Sequence, residues 1–70
     1  MTKIDLEYKR RVEHSISRLK RYFESYPGTL IDLAKEVGVR LVTMRKWWDG
    51  LHYPRESNLE KLERFVAKHR

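Results

Sequence analysis

The chain has 70 residues, with 16 Lys and Arg against 10 Asp and Glu, a formal charge of +6 and no cysteine. A chain this short buries only about 60% of the surface its unfolded form exposes, which leaves room for one small core and excludes an elaborate catalytic cleft. The absence of cysteine excludes a disulfide framework and any thiolate zinc site, and the positive surplus suits a polyanionic partner such as nucleic acid, provided the arrangement of the residues agrees.

The N-terminal stretch carries Lys3, Asp5, Glu7, Lys9, Arg10 and Arg11 with no apolar run between them. It reads as neither a signal peptide nor a membrane span, so the expected location is the cytoplasm, at the nucleoid. One domain is expected over residues 1–70. Apolar residues at Tyr8, Val12, Ile16, Leu19, Phe23 and Tyr26 advance by steps of four and three and trace one stripe on a helix. The stripe predicts a helix from about Ile4 to Ser25, stopped at Tyr26-Pro27-Gly28, because proline disfavours helical geometry in the residue before it.

Thr29-Leu30-Ile31-Asp32 then places a hydroxyl at N-cap and a carboxylate three residues later, an acidic variant of the capping box. Leu30, Leu33, Ala34 and Val37 supply the inner face of a second, two-turn helix, and Gly38 stands where a left-handed residue would end it. A third series, Leu41, Met44, Trp47, Trp48 and Leu51, keeps helical spacing and is stopped by Gly50. After the loop Leu51-His52-Tyr53-Pro54-Arg55, Ser57-Asn58-Leu59-Glu60 reads as a second capping box. Leu59, Leu62, Phe65 and Val66 form the inner stripe of a last helix running towards Arg70. The expected fold is all-α, a compact four-helix bundle with an elongated first helix; no strand signal, repeat or low-complexity stretch is present.

Two short helices joined by a tight glycine-containing turn are the geometry of the helix-turn-helix, here about residues 29–50. In this unit Leu33-Ala34, Val37-Gly38-Val39, Thr43, Trp47 and Gly50, and beyond it Pro54, Leu59 and Leu62, give a sequence that resembles the Cro and lambda-repressor-like (XRE-type) family over roughly residues 15–66. The resemblance implies a lambda-repressor-like bundle and a regulator that reads double-stranded DNA with the helix at about residues 41–49. That helix would begin after Arg40 and present Arg40, Leu41, Val42 and Arg45 to base edges, flanked by Thr43 on the phosphate side and Lys46. Helical geometry agrees: with Met44 and Trp47 inward, Val42, Arg45 and Lys46 point away from the core. An arginine there can bond guanine O6 and N7 together, and Leu or Val can meet a thymine methyl, so Arg45 is the first choice for direct readout.

The resemblance also implies a grip on phosphates by Thr29, Leu30, His52, Tyr53 and Arg55. Leu30 departs from the family pattern, where a glutamine often bonds phosphate, and leaves the backbone N–H groups at that helix start to serve instead. Trp48 departs too: it stands at a usually acidic position whose partner on the first helix is an arginine. Counting back puts Phe23 at the partner's place, which predicts an aromatic contact between Phe23 and Trp48 instead of an ion pair.

Ordinary readings stand beside these. Met44 and Trp47 are core residues first, and Leu41 reads equally as a base-contacting tip or a lid on the bundle. His14, His52 and His69 lack metal-ligand spacing, so no metal and no other cofactor is expected. Lys9-Arg10-Arg11 reads as a charged exposed face, neutralised in part by Glu7 and Glu13 along the same helix. Ser15, Ser17, Ser25 and Ser57 lack a glycine-elbow context, no phosphate loop is present, and no enzymatic activity or small-molecule substrate is expected.

The leading expectation is a sequence-specific repressor or control protein of a phage, plasmid or other mobile element. Thr43-Met44-Arg45 followed by Trp47 and Gly50-Leu51 also looks like the winged-helix motif of MerR-type regulators and excisionases, although there the turn-to-glycine spacing is usually one residue longer. A rival of another class is an anti-repressor or antitoxin-like protein-interaction module, for which exposed Leu41 and Val42 would be the cue. Family members commonly dimerise through a fifth helix; with the chain stopping at Arg70, the longer first helix is expected to support a homodimer instead, reading half-sites about 34 Å apart.

Overall fold

The computed structural model describes residues 6–69, which fold into four helices: α1 (Leu6–Phe23), α2 (Leu30–Val37), α3 (Leu41–Trp48) and α4 (Glu56–Lys68). Among the described residues there is no strand, and no helix is long and apolar enough to cross a membrane. The expected start of α1 at Ile4, and Arg70, lie outside the described residues. The expected end at Ser25 moves back to Phe23. Ser25 N–H bonds the Tyr22 carbonyl (3.4 Å) and Tyr26 N–H the Phe23 carbonyl (3.0 Å), a tightening of the last turn that lifts the chain out of the helix before Pro27.

The periodic residues become one core. Val12, Ile16 and Leu19 of α1, Leu33, Ala34 and Val37 of α2, Met44 and Trp47 of α3, and Leu59, Leu62, Phe65 and Val66 of α4 are all buried in a single cluster. Tyr8, Phe23, Tyr26, Leu30 and Trp48 are half-buried against it, on the margins of the predicted stripes. Burying a leucine or methionine side chain contributes about 1.5–3 kcal/mol, and Leu19, Leu33, Met44, Leu59 and Leu62 are fully enclosed.

Both helices of the central pair end on a left-handed glycine. Gly38 has φ 95°, and Val39 N–H reaches back to the Ala34 carbonyl (3.0 Å). Gly50 has φ 76°, with Leu51 N–H on the Lys46 carbonyl (2.9 Å) and Gly50 N–H on the Trp47 carbonyl (3.1 Å). These bonds satisfy carbonyls the helix ends would otherwise leave open, in a conformation that disfavours any residue with a Cβ. The turn at Gly50 corrects one expectation: Leu51 does not extend the α3 stripe but leaves the helix, 70% exposed.

A second correction concerns α4. The capping box expected at Ser57 does not form; the helix starts at Glu56 with Arg55 as N-cap and no side-chain cap. Leu59 N–H bonds the Arg55 carbonyl (2.7 Å), and the carbonyl of buried Pro54 accepts a hydrogen bond from the Tyr8 hydroxyl. With the chain anchored to α1 at Pro54, helical geometry begins immediately afterwards and Ser57 falls inside the first turn. Arg11, in the run expected to be partly neutralised along its own helix, clasps Glu63 of α4 through two bonds of 3.0 and 2.8 Å. The fork-to-carboxylate geometry holds the Glu63 carboxyl below the usual range. Tyr8 at Pro54, Arg11 at Glu63 and Tyr22 at Phe65 and His69 advance together along α1 and α4, so these helices run in the same direction.

Candidate nucleic-acid interface

α2 and α3 are joined by the three residues Gly38, Val39 and Arg40. The α2 start is fixed by the capping box read from the sequence: Asp32 N–H donates to Thr29 Oγ1 (3.4 Å), and Thr29 N–H and Oγ1 donate to Asp32 Oδ2 (3.0 and 3.1 Å). The Thr29 backbone N–H first, and its hydroxyl second, hold the Asp32 carboxyl below its ordinary range. At the turn, the Lys61 ammonium donates to the Gly38 carbonyl (3.4 Å), tying α4 to the joint.

At its far end α3 is set by aromatic packing. Phe23 meets Trp48 edge-to-face, with ring centroids 5.4 Å apart and planes at 85°, the contact expected from the departure at Trp48. The Lys20 ammonium lies 5.6 Å from the Trp48 ring centre, a cation–π contact beside the aromatic pair.

With Met44 and Trp47 buried, the opposite side of α3 faces outwards. Arg45 and Lys46 are exposed there, and Val42 is 65% exposed. Arg40 is exposed at the N-cap, while Leu41 and Thr43 are half-buried at the two edges of the helix. Leu41 therefore sits between its two readings, partly a lid and partly available. α3 has no acidic residue in its first turn and no side-chain cap, which leaves the positive end of its dipole uncompensated beside Arg40. Arg40, Arg45 and Lys46 with a free helix start form a cationic surface around an apolar Val42, a composition suited to phosphates at the edges and base methyls at the centre.

The residues expected to grip phosphate divide. His52 and Arg55 are exposed on the loop between α3 and α4, and Tyr53 is half-buried against the core. Leu30 is half-buried in the first turn of α2. Thr29 is exposed, but its hydroxyl and N–H are both committed to Asp32, and that carboxylate would repel a phosphate placed there.

Two features of the surface escape the sequence reading. Asp49 is exposed one turn beyond Arg45 and shares its outward side, so an acceptor stands among the donors of α3; continuing the spacing 42, 45, 46 to 49 finds it. Lys35 of α2 and Asn58 of α4 line a shallow concavity with Arg40 and Thr43 beside the start of α3. No local pattern brings Asn58 to that place, because it depends on how α4 packs. Ser15 is buried. The chain matches no family model, no curated protein and no solved structure.

Proposed function

We propose that the chain is a sequence-specific double-stranded DNA-binding regulator of the Cro and lambda-repressor-like kind, a repressor or control protein of a phage, plasmid or other mobile element. The observation that carries the reading is the two-sided character of α3: Met44 and Trp47 are buried, and Val42, Arg45 and Lys46 stand free on the opposite side beside Arg40. Arg45 would take guanine O6 and N7, Val42 a thymine methyl, and Asp49 a cytosine amino group. Lys46 would stand beside Arg45 at the base edges, and His52 and Arg55 would hold phosphates, placing the helix in the groove by charge while the bases select the sequence. Occupation of a promoter would then block transcription; no catalysis is part of the proposal.

A second reading has its own observation. Ile31, Val42 and Leu51, 46%, 65% and 70% exposed, lie on or beside the α2–α3 unit and give a protein partner apolar anchors. The winged-helix alternative lacks support, since no strand pair follows α3 among the described residues.

Selection of bound duplexes from a random library, at two salt concentrations, separates the readings. A definite enriched motif whose binding weakens steeply with salt supports DNA reading, because each neutralised phosphate releases counterions. An inverted repeat in that motif would mean that two copies bind together. No binding at low salt would overturn the proposal and favour the apolar docking surface.

A further inference from the structure

Away from α3, the last turns of α1 and α4 enclose a cleft of about 330 Å³ lined by Arg18, Arg21, Tyr22, Phe65, Val66 and His69. Its wall is aromatic: Tyr22 meets Phe65 edge-to-face (5.5 Å, 82°), and His69 lies over Phe65 at 4.3 Å and beside Tyr22 at 5.2 Å. The two arginines are exposed and, among the described residues, neither forms an ion pair. Three residues apart on one helix, they are neighbours of like charge, which an anion between them would relieve. Basic residues in the last turn of a helix ordinarily answer its dipole, and Lys20 and Arg21 do so for α1. Arg18 lies a turn earlier, and that role does not call for an aromatic wall.

We infer that this cleft binds a planar aromatic anion, with the ring against Tyr22, Phe65 and His69 and the carboxylate held by Arg18 and Arg21. The volume lies in the range of about 300–1,000 Å³ usual for small-ligand sites, and an apolar wall with a few convergent charged donors is their usual composition. A guanidinium pairs a carboxylate through two parallel bonds, which fixes the direction of the ring as well as its charge. The site does not depend on the DNA reading and can fail or succeed without it.

The test is a titration of the full isotope-labelled chain with 2-naphthoate, followed by amide chemical shifts, with acetate and the neutral 2-naphthalenemethanol as comparison probes. The inference predicts saturable shifts confined to the last turns of α1 and α4 with naphthoate, and at least tenfold weaker binding by either comparison probe. Arg18→Gln and Arg21→Gln, both at exposed positions, should each weaken naphthoate binding severalfold and leave the spectrum of the free protein otherwise unchanged. Equal binding of the neutral alcohol, equal shifts with acetate, or shifts scattered over the surface would each overturn it.

Discussion

Replacing Gly38 by the two mirror-image alanines isolates the backbone geometry that sets α3 against α2. At φ 95° an L-residue is strained, and a Cβ added there in the L configuration meets nothing within 4 Å, so its cost is conformational rather than a clash. The left-handed region costs an L-residue about 1–2 kcal/mol. Any alanine recovers about 0.4–1 kcal/mol by restricting the unfolded chain. Gly38→Ala should therefore lose between about 0 and 1.6 kcal/mol net, centred near 1, while D-alanine, for which this region is the favoured one, should keep the gain without the strain. For a domain of this size 1 kcal/mol moves Tm by about 4–8 °C, which puts the L variant about 5 °C below the parent and the D variant a few degrees above it. Chemical synthesis of the two epimers and thermal unfolding followed by far-UV circular dichroism measure the difference. Equal melting of the two would refute the left-handed turn at Gly38 and the α2–α3 geometry built on it.

The Phe23–Trp48 contact should appear in a double-mutant cycle of Phe23→Leu and Trp48→Leu as a coupling of about 0.5–1.5 kcal/mol, measured by urea unfolding. Because Glu63 and Asp32 titrate below their unfolded values, their contribution is present above the ordinary carboxylate pKa and is lost as pH falls through the depressed folded values. Stability should thus decline below about pH 4.5, and Glu63→Gln should shallow that decline; about a third or more of each side chain of the Arg11–Glu63 pair is exposed, so the pair is worth no more than about 1 kcal/mol in a cycle. The Tyr26 hydroxyl donates to the Glu36 carboxylate, which pushes the phenol up to about 12. Ultraviolet titration should show one tyrosine ionising near pH 12 in the parent and, with Glu36→Gln, at a clearly lower pH, because the largest cause of the upward shift is gone.

What the sequence made legible is local. Thr29 with Asp32 marks the start of α2, and Gly38 and Gly50 mark two helix ends; each signal sits within a few residues of the boundary it sets, and α2 and α3 fall where they predict. The Phe23–Trp48 contact was reachable from a resemblance because both departures fell at paired positions. The Arg11–Glu63 pair was not legible because the two residues lie fifty-two apart, and nothing in the neighbourhood of either records that pairing. Ser57 looked like a cap by composition, but Pro54, tethered by Tyr8, decided where α4 begins. At the candidate interface, period 3.6 separated Met44 and Trp47 from Val42, Arg45 and Lys46 without ambiguity. Thr29 shows the converse: a cap whose donors face Asp32 has none left for phosphate, so two expectations drawn from one residue compete.

The most direct test of α3 as the reading helix is to repeat the duplex selection with Arg45→Ala, using Arg55→Ala as the comparison. Arg45→Ala should lose about 1–3 kcal/mol on the parent's preferred sequence and relax the choice at one base position, whereas Arg55→Ala should weaken all duplexes about equally. An unchanged motif bound with unchanged affinity by Arg45→Ala would contradict the placement of α3 in the groove.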